Sequence, residues 1–448
     1  MAPAARRVSL KNFLLTARKA LLTPPAQRPN PLIFVVGNES ADLDSLCSSI
    51  LLAYFRTYDH CTSSTTPGVF PTLHIPLSNL PSADLALRPE LAAVLKPAGL
   101  HNDDLITLDG LPTSSSNSNN DTSSSITPEN TQWLLVDHNA LTGPLAARGF
   151  GAPDKIIGCI DHHDDEGVVS SNVEPRIIEK SGSCMSLVVE YCKPGWEELS
   201  KLERSEEGNA DTSPEEWEAQ LAHLALAPIL VDTTNLTSKD KTTEWDREAV
   251  KFLEGRLSAS SAATAAAAAA AAGSSEGKGY ERTAYFNHIT SLKEEIAGLS
   301  YRDILRKDYK RWMDGGLAVG ISTVVRGFDY LMTEIGDQKQ FTEALKAWAK
   351  EQELDIAAVM TVSNPDGKFT RELLVWAFNE GAVKVAKRFV DKNGGEEGLR
   401  LQTWGGGKLD SEQGEAEWVR CWTQGRVDKS RKQVAPMLRD VMKEAARL

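Results

Sequence analysis

Four apolar runs punctuate the first half of the chain: LIFVVG (32–37), WLLVDH (133–138), KIIGCIDHH (155–163) and APILVDTTN (227–235). They are continuous rather than alternating, which is the pattern of strands buried on both faces of a parallel sheet. TLHIPL (72–77) is a weaker fifth candidate. Helical spacing falls between the runs, at 45–58, 83–97 and 183–193. The alternation predicts an α/β, doubly wound, mainly parallel-sheet N-terminal domain.

Two biased segments interrupt this pattern. TSSSNSNNDTSSSITPEN (113–130) is polar and reads as a surface insertion. Residues 258–279 contain eight consecutive alanines (265–272) between Ser- and Gly-rich flanks, and read as a linker. Domain limits of 1–257 and 280–448 follow, the second a smaller α/β domain. In it, SLKEEIAGLSYRDILRKDYKRW is a charged helical segment. GLAVGISTVV (316–325), ELDIAAVMTVS (353–363) and RELLVWAFN (371–379) are its strands.

Composition narrows the function. The 448 residues carry a net charge of −13, which opposes broad binding to nucleic acid or anionic membranes. No apolar run reaches the roughly 18–20 residues that span a bilayer. Six scattered cysteines without a CxxC pair read as free thiols in a reducing compartment, hence a cytoplasmic location. The N-terminus is basic, with Arg6, Arg7, Lys11, Arg18, Lys19 and Arg28 and no acid before Glu39. SLKNFLLTARKALL has helical apolar spacing. It fits a helix packed on the domain, capped by Ser9 and stopped by Pro24 and Pro25. Mitochondrial import is the alternative.

Each apolar run ends in potential metal ligands: Asp42 and Asp44, Asp137 with His138, Asp161 with His162 and His163, and Asp232. Singly, each Asp reads as a cap or turn former. In an open α/β sheet, however, the carboxyl ends of the strands share one edge. So many carboxylates there would repel one another by several kcal/mol unless cations intervene. Carboxylate plus imidazole suits Mn²⁺, Mg²⁺ or Zn²⁺. Two such ions, about 3.5–4 Å apart, clamp a phosphoryl group and activate water. Neither a P-loop nor a GxSxG elbow is present.

GNESADLDS, VDHN, DHH and VDTTN, in this order, resemble the four motifs of the DHH phosphoesterase superfamily. The subgroup resembled most is the fungal cytosolic exopolyphosphatase, with the animal prune proteins nearby. ILRKDYK (304–310) supports the same subgroup, and VGIS (319–322) and SRKQVAPML (430–438) resemble the DHH-associated C-terminal domain. The resemblance implies hydrolysis of terminal phosphate from inorganic polyphosphate by a monomer with two divalent ions per site, Mn or Mg with Co possible. It implies that Asp42 binds one metal, that Asp44, His162 and Asp232 bind the other, and that Asp137 bridges them. His163 would face substrate phosphate, and Asp161 would orient its loop. Arg431 and Lys432 would bind substrate phosphates, with Arg306, Lys307, Lys310, Lys239 and Lys241 as weaker candidates.

Asn38 departs from related pyrophosphatases, where a metal-binding histidine stands. Its amide oxygen would be a weaker ligand, and asparagine here resembles the polyphosphate-cleaving groups. The alternatives are a manganese-dependent pyrophosphatase, a nucleotide phosphodiesterase and a prune-like regulatory phosphate-binding protein.

Overall fold

The computed structural model describes residues 8–58, 72–112, 125–201, 212–271 and 280–446, with backbone alone over 259–271. Arg6, Arg7, Cys61 and most of the polar insertion (113–124) lie outside the described residues. Two compact units divide between Leu292 and Lys293.

In the first unit the predicted strands form β1 (Leu32–Val36), β2 (His74–Leu77), β3 (Thr131–Val136) and β4 (Ile156–Asp161). A short fifth, β5 (Arg176–Ile178), joins them in an all-parallel sheet of order β2-β1-β3-β4-β5. Both faces are covered, as the continuous apolar runs require. Val35, Leu134, Val136 and Ile160 pack on one side. Phe34, Ile75, Trp133 and Leu135 pack on the other, with Phe34 stacked on Trp133 at 4.8 Å. Each such side chain contributes about 1.5–3 kcal/mol of apolar burial.

The helices of this unit are α1 (Leu10–Leu22), α2 (Leu43–Tyr58), α3 (Pro89–Leu95), α4 (Gly143–Ala147), α5 (Cys184–Ser200), α6 (Pro214–Asp232), α7 (Glu244–Ala271) and α8 (Arg282–Lys293). Helix α1 is the basic N-terminal segment. The Ser9 side chain accepts from the Asn12 amide, and Leu10, Phe13, Leu14, Ala17 and Leu21 are buried. Cys47, Cys159, Cys184 and Cys192 are buried free thiols, as is Cys421 in the second unit. Among the described residues, no helix is long and apolar enough to cross a membrane.

Two expectations fail locally. The run APILVDTTN is not a strand: it is the last part of α6, whose residues from Leu224 to Leu230 are all buried. A helix enclosed on every side loses its 3.6-residue period, so its sequence mimics a buried strand. The alanine run is not coil either, since α7 continues through it to Ala271. Alanine has the best intrinsic helix propensity, and a preceding helix removes the nucleation cost. Residues 272–279 lie outside the described residues.

The second unit folds a mixed sheet of order β10-β12-β9-β8-β7-β6, with β11 paired to β12. Its strands are β6 (Tyr309–Asp314), β7 (Leu317–Val324), β8 (Ile356–Ser363), β9 (Thr370–Ala377), β10 (Leu401–Thr403), β11 (Ser411–Gln413) and β12 (Glu417–Gln424). Helices α9 (Tyr301–Lys307), α10 (Phe328–Tyr330), α11 (Gln338–Glu351), α12 (Glu380–Asn393) and α13 (Arg431–Ala445) accompany it. The segment expected as one charged helix ends α8, forms α9 and then turns into β6, with Asp308 between them.

Candidate active site

Strand order in the first sheet reverses between β1 and β3, the point at which doubly wound folds bind ligands. Asn38, Asp42 and Asp44 follow β1, Asp137 follows β3, and His162 and His163 follow β4. Gly37 lets β1 run close under α2: a Cβ there would lie 2.5 Å from Ser45 Cβ. Asp42 is the N-cap of α2, its Oδ1 accepting from the Ser45 amide at 3.0 Å.

Asp137 is buried at the centre. Its Oδ2 accepts from the Asn38 amide group at 2.7 Å and from the Ser45 hydroxyl at 2.6 Å. Its Oδ1 faces the histidines, 3.2 Å from His162 Nε2 and 3.8 Å from His163 Nδ1. Asp137, His162 and His163 each offer a ligand atom, all within 4.8 Å of one another.

Asp161, at the end of β4, organises both histidines. Its Oδ1 accepts from the amides of His162 (2.8 Å) and His163 (3.2 Å) and from His163 Nδ1 (2.7 Å). Its Oδ2 accepts from Asn139 at 2.6 Å. Burial would raise this carboxyl's pKa, but the His163 hydrogen bond and the charges of His163 and His162 outweigh burial and hold it at about 2. His162 donates from Nδ1 to the Ser181 carbonyl at 3.0 Å. That bond commits Nδ1 as a donor and turns Nε2 toward Asp137 and toward Asp44 Oδ2, 3.8 Å away.

Asp44 is buried in the first turn of α2. It accepts from the Ser183 hydroxyl at 2.8 Å and from the amides of Cys184 (2.7 Å) and Met185 (2.9 Å), at the N-terminus of α5. Burial first, and then the charges of Asp137, Asp232 and Asp42, push its carboxyl well above the ordinary range, against the Ser183 hydrogen bond. Asp42 and Asp232 are thus felt electrostatically at Asp44, although they stand outside the tight Asp137–histidine group. Asp232 reaches this position from the end of α6 rather than from a strand.

The backbone is strained at the same places. Among the described residues of the first unit, Ala41, Asp137, Thr234, Asn235 and Leu236 are the non-glycine residues with positive φ. Four fall inside the motifs and the fifth adjoins one. Left-handed backbone at such residues costs on the order of 1 kcal/mol each and gathers at functional sites.

Asn38 differs from its expected role. Its oxygen accepts from the Ser40 amide at 2.9 Å, and its nitrogen donates to the Asp137 carbonyl and carboxylate. The network fixes the amide orientation, since a flip would set oxygen against oxygen. Asn38 therefore aims Asp137 instead of presenting an oxygen to a metal.

Arg431 and Lys432 open α13 of the second unit, where Ser430 is the cap. Arg431 donates to the Asp308 carboxylate at 2.6 Å and to its carbonyl at 3.0 Å. Arg306 pairs with Asp303, and Lys307 donates to the Lys293 carbonyl. Lys239 and Lys241 are exposed after α6.

Ser45, Asn139, Arg88 and Ser183 escaped the sequence analysis. Arg88 is buried and donates to the Ala41 carbonyl at 2.9 Å and the Ser40 carbonyl at 2.7 Å, holding the turn between Asn38 and Asp42. Bonds to main-chain carbonyls leave no side-chain pattern to find. Ser45 and Asn139 had a signal, as the last residues of GNESADLDS and VDHN.

A family model described as the DHH family, N-terminal domain, matches residues 32–229, and one described as the DHHA2 domain matches 287–441. A candidate exopolyphosphatase of Schizosaccharomyces pombe is 30% identical over 443 residues, covering 98% of this chain and 97% of that protein. The chain belongs to the DHH family. This DHH protein is also 23% identical to the exopolyphosphatase PRUNE1 of Rattus norvegicus, over 97% of its own length and 79% of the relative's. Its fold is similar to that of a candidate family II inorganic pyrophosphatase of Methanococcus jannaschii. The TM-score is 0.51 over 92% of this chain and 99% of that one, at 20% identity.

Proposed function

We propose that this DHH protein is a metal-dependent exopolyphosphatase that releases orthophosphate from the end of inorganic polyphosphate. The observation that carries the reading is the crowding at Asp44. A buried carboxylate lies within reach of the charges of Asp137, Asp232 and Asp42, and His162 Nε2 is turned toward it. That donor set, hard oxygens plus one oriented imidazole, fits divalent cations such as Mg²⁺ or Mn²⁺. Two of them would be held by Asp42, Asp44, Asp137, His162 and Asp232, with Asp137 shared. When bound, such ions neutralise phosphoryl charge and lower the pKa of water near neutrality.

The chain's own residues do the rest. Asn38 and Ser45 hold Asp137 in one orientation, so its second oxygen stays directed at the histidines. Asp161 engages His163 at Nδ1, which leaves Nε2 as the nitrogen that would donate to a substrate oxygen when the imidazole carries both protons. Arg431 would add bidentate contacts to phosphate and Lys432 a mobile charge; Arg431 would then exchange Asp308 for substrate. Names of the relatives support polyphosphate, and Asn38 in place of a ligating histidine supports it over pyrophosphate. Cytoplasmic location, in keeping with the free thiols of the described cysteines, and a monomeric state complete the reading.

Replacing Asp137 by Ala tests it. Phosphate release from polyphosphate should fall at least about a hundredfold with the chain still folded; near-wild-type turnover would refute the assignment.

A further inference from the structure

We propose that Asp246 is a positioning residue for the metal-binding face of this site, acting through residues 181–185. The proposal rests on the metal-dependent reading above. Asp246 is fully buried in the first turn of α7. Part of its work is local: Oδ2 accepts from the Thr243 amide at 2.7 Å and the Thr243 hydroxyl at 2.8 Å. Thr243 precedes α7, so Asp246 reaches back from the first turn to the residue before the helix, which is the acid's half of a capping box.

Its other partners are distant in sequence. Oδ2 also accepts from the Gly182 amide at 2.9 Å, and Oδ1 from the Ser183 amide at 3.2 Å and the Ser186 hydroxyl at 2.6 Å. The segment held in this way is the one that holds the site. The Ser181 carbonyl orients His162, while the Ser183 hydroxyl and the amides of Cys184 and Met185 orient Asp44. Gly182 leaves the segment no slack, because a Cβ there would lie 2.6 Å from Thr233 Cγ2 and 2.8 Å from Asp246 Oδ2. Thr233 directly follows Asp232. One carboxylate therefore sets the backbone that aims an imidazole and a carboxylate at the same point.

An amide cannot replace it. Five donors converge on the two oxygens of Asp246. An Asn sets its NH₂ against the Ser183 amide in one orientation and against the Gly182 and Thr243 amides in the other, and only the hydroxyls can turn to accept. The segment would relax, and the 3.8 Å approach of His162 Nε2 to Asp44 Oδ2 would loosen without loss of any ligand.

The test is Mn²⁺ binding to the metal-free full-length chain, followed by electron paramagnetic resonance, with thermal unfolding measured in parallel. Asp246→Asn should weaken Mn²⁺ binding about ten- to a hundredfold, the usual effect of disturbing an outer-shell partner. Thr243→Ala removes only the capping side and should lower thermal stability while leaving Mn²⁺ affinity within about twofold. Equal Mn²⁺ affinity in Asp246→Asn and wild type, at any melting temperature, would overturn the proposal and leave a cap alone. So would equal losses of affinity in Asp246→Asn and Thr243→Ala. Should Asp246→Asn not fold, Ser186→Ala decides by the same readout, with a severalfold loss expected and no change counting against. A wild-type chain that binds no Mn²⁺ would sink the metal-dependent reading itself, which separates the two failures.

Discussion

The Asn38 amide nitrogen donates twice to Asp137, at 2.7 Å to the carboxylate and 3.0 Å to the carbonyl. The residue that marks the departure from the pyrophosphatase pattern is therefore the one that locks the central carboxylate. Asn38→Ala should lower turnover about ten- to a hundredfold, and destabilise the chain by about 1–3 kcal/mol through the unpaired buried groups. Asn38→His should raise pyrophosphate turnover relative to polyphosphate. Phosphate release from both substrates measures this, and an unchanged ratio would remove Asn38 as a specificity determinant.

Gly37 offers a purely steric prediction. A Cβ would lie 2.5 Å from Ser45 Cβ and 2.8 Å from the Ser45 carbonyl, so β1 and α2 would have to separate. Gly37→Ala should cost about 1–3 kcal/mol and displace the Ser45 hydroxyl from Asp137. Denaturant midpoints check the first effect, and phosphate release the second.

His74 gives a pH dependence away from the site. Burial, and then the charge of Arg56, push its pKa from 6.5 to about 4, against a hydrogen bond with the Thr72 carbonyl. The unfolded histidine takes up its proton near pH 6.5 and the folded one only near 4. The stability from neutral His74 is therefore complete above pH 6.5 and is lost as pH falls toward 4, by about 2 kcal/mol at pH 5. Urea unfolding of the metal-free chain at pH 7.5 and 5 should show this loss, and His74→Gln should reduce it.

Divalent ions should stabilise the fold, because they bind the native arrangement alone. At a hundredfold excess over Kd the gain is about 2.7 kcal/mol. Melting temperatures with Mn²⁺ and then with chelator should differ accordingly. Asp137→Ala should show little of this difference.

Most of the first sheet was legible because β1, β3 and β4 are buried on both faces and each ends abruptly in polar residues. The same logic misread residues 227–235. A helix end buried among other helices and a buried strand share one apolar signature, and only the upstream residues of α6 tell them apart. In the second unit, β12 carries Arg420 between two buried pairs, Trp418-Val419 and Cys421-Trp422, and was missed, as was the three-residue β10. The candidate ligand residues were readable from their types. What holds them was not: Arg88 works through carbonyls, and residues 181–185 work largely through amides. Asp246 showed only the spacing of a helix cap.

Phosphate release by the purified chain from long-chain polyphosphate, with Mg²⁺ or Mn²⁺ and then with chelator, tests the central claim most directly. The account predicts metal-dependent orthophosphate release that exceeds release from pyrophosphate and is lost in Asp137→Ala. Release that survives chelation, or that persists in Asp137→Ala, would contradict it.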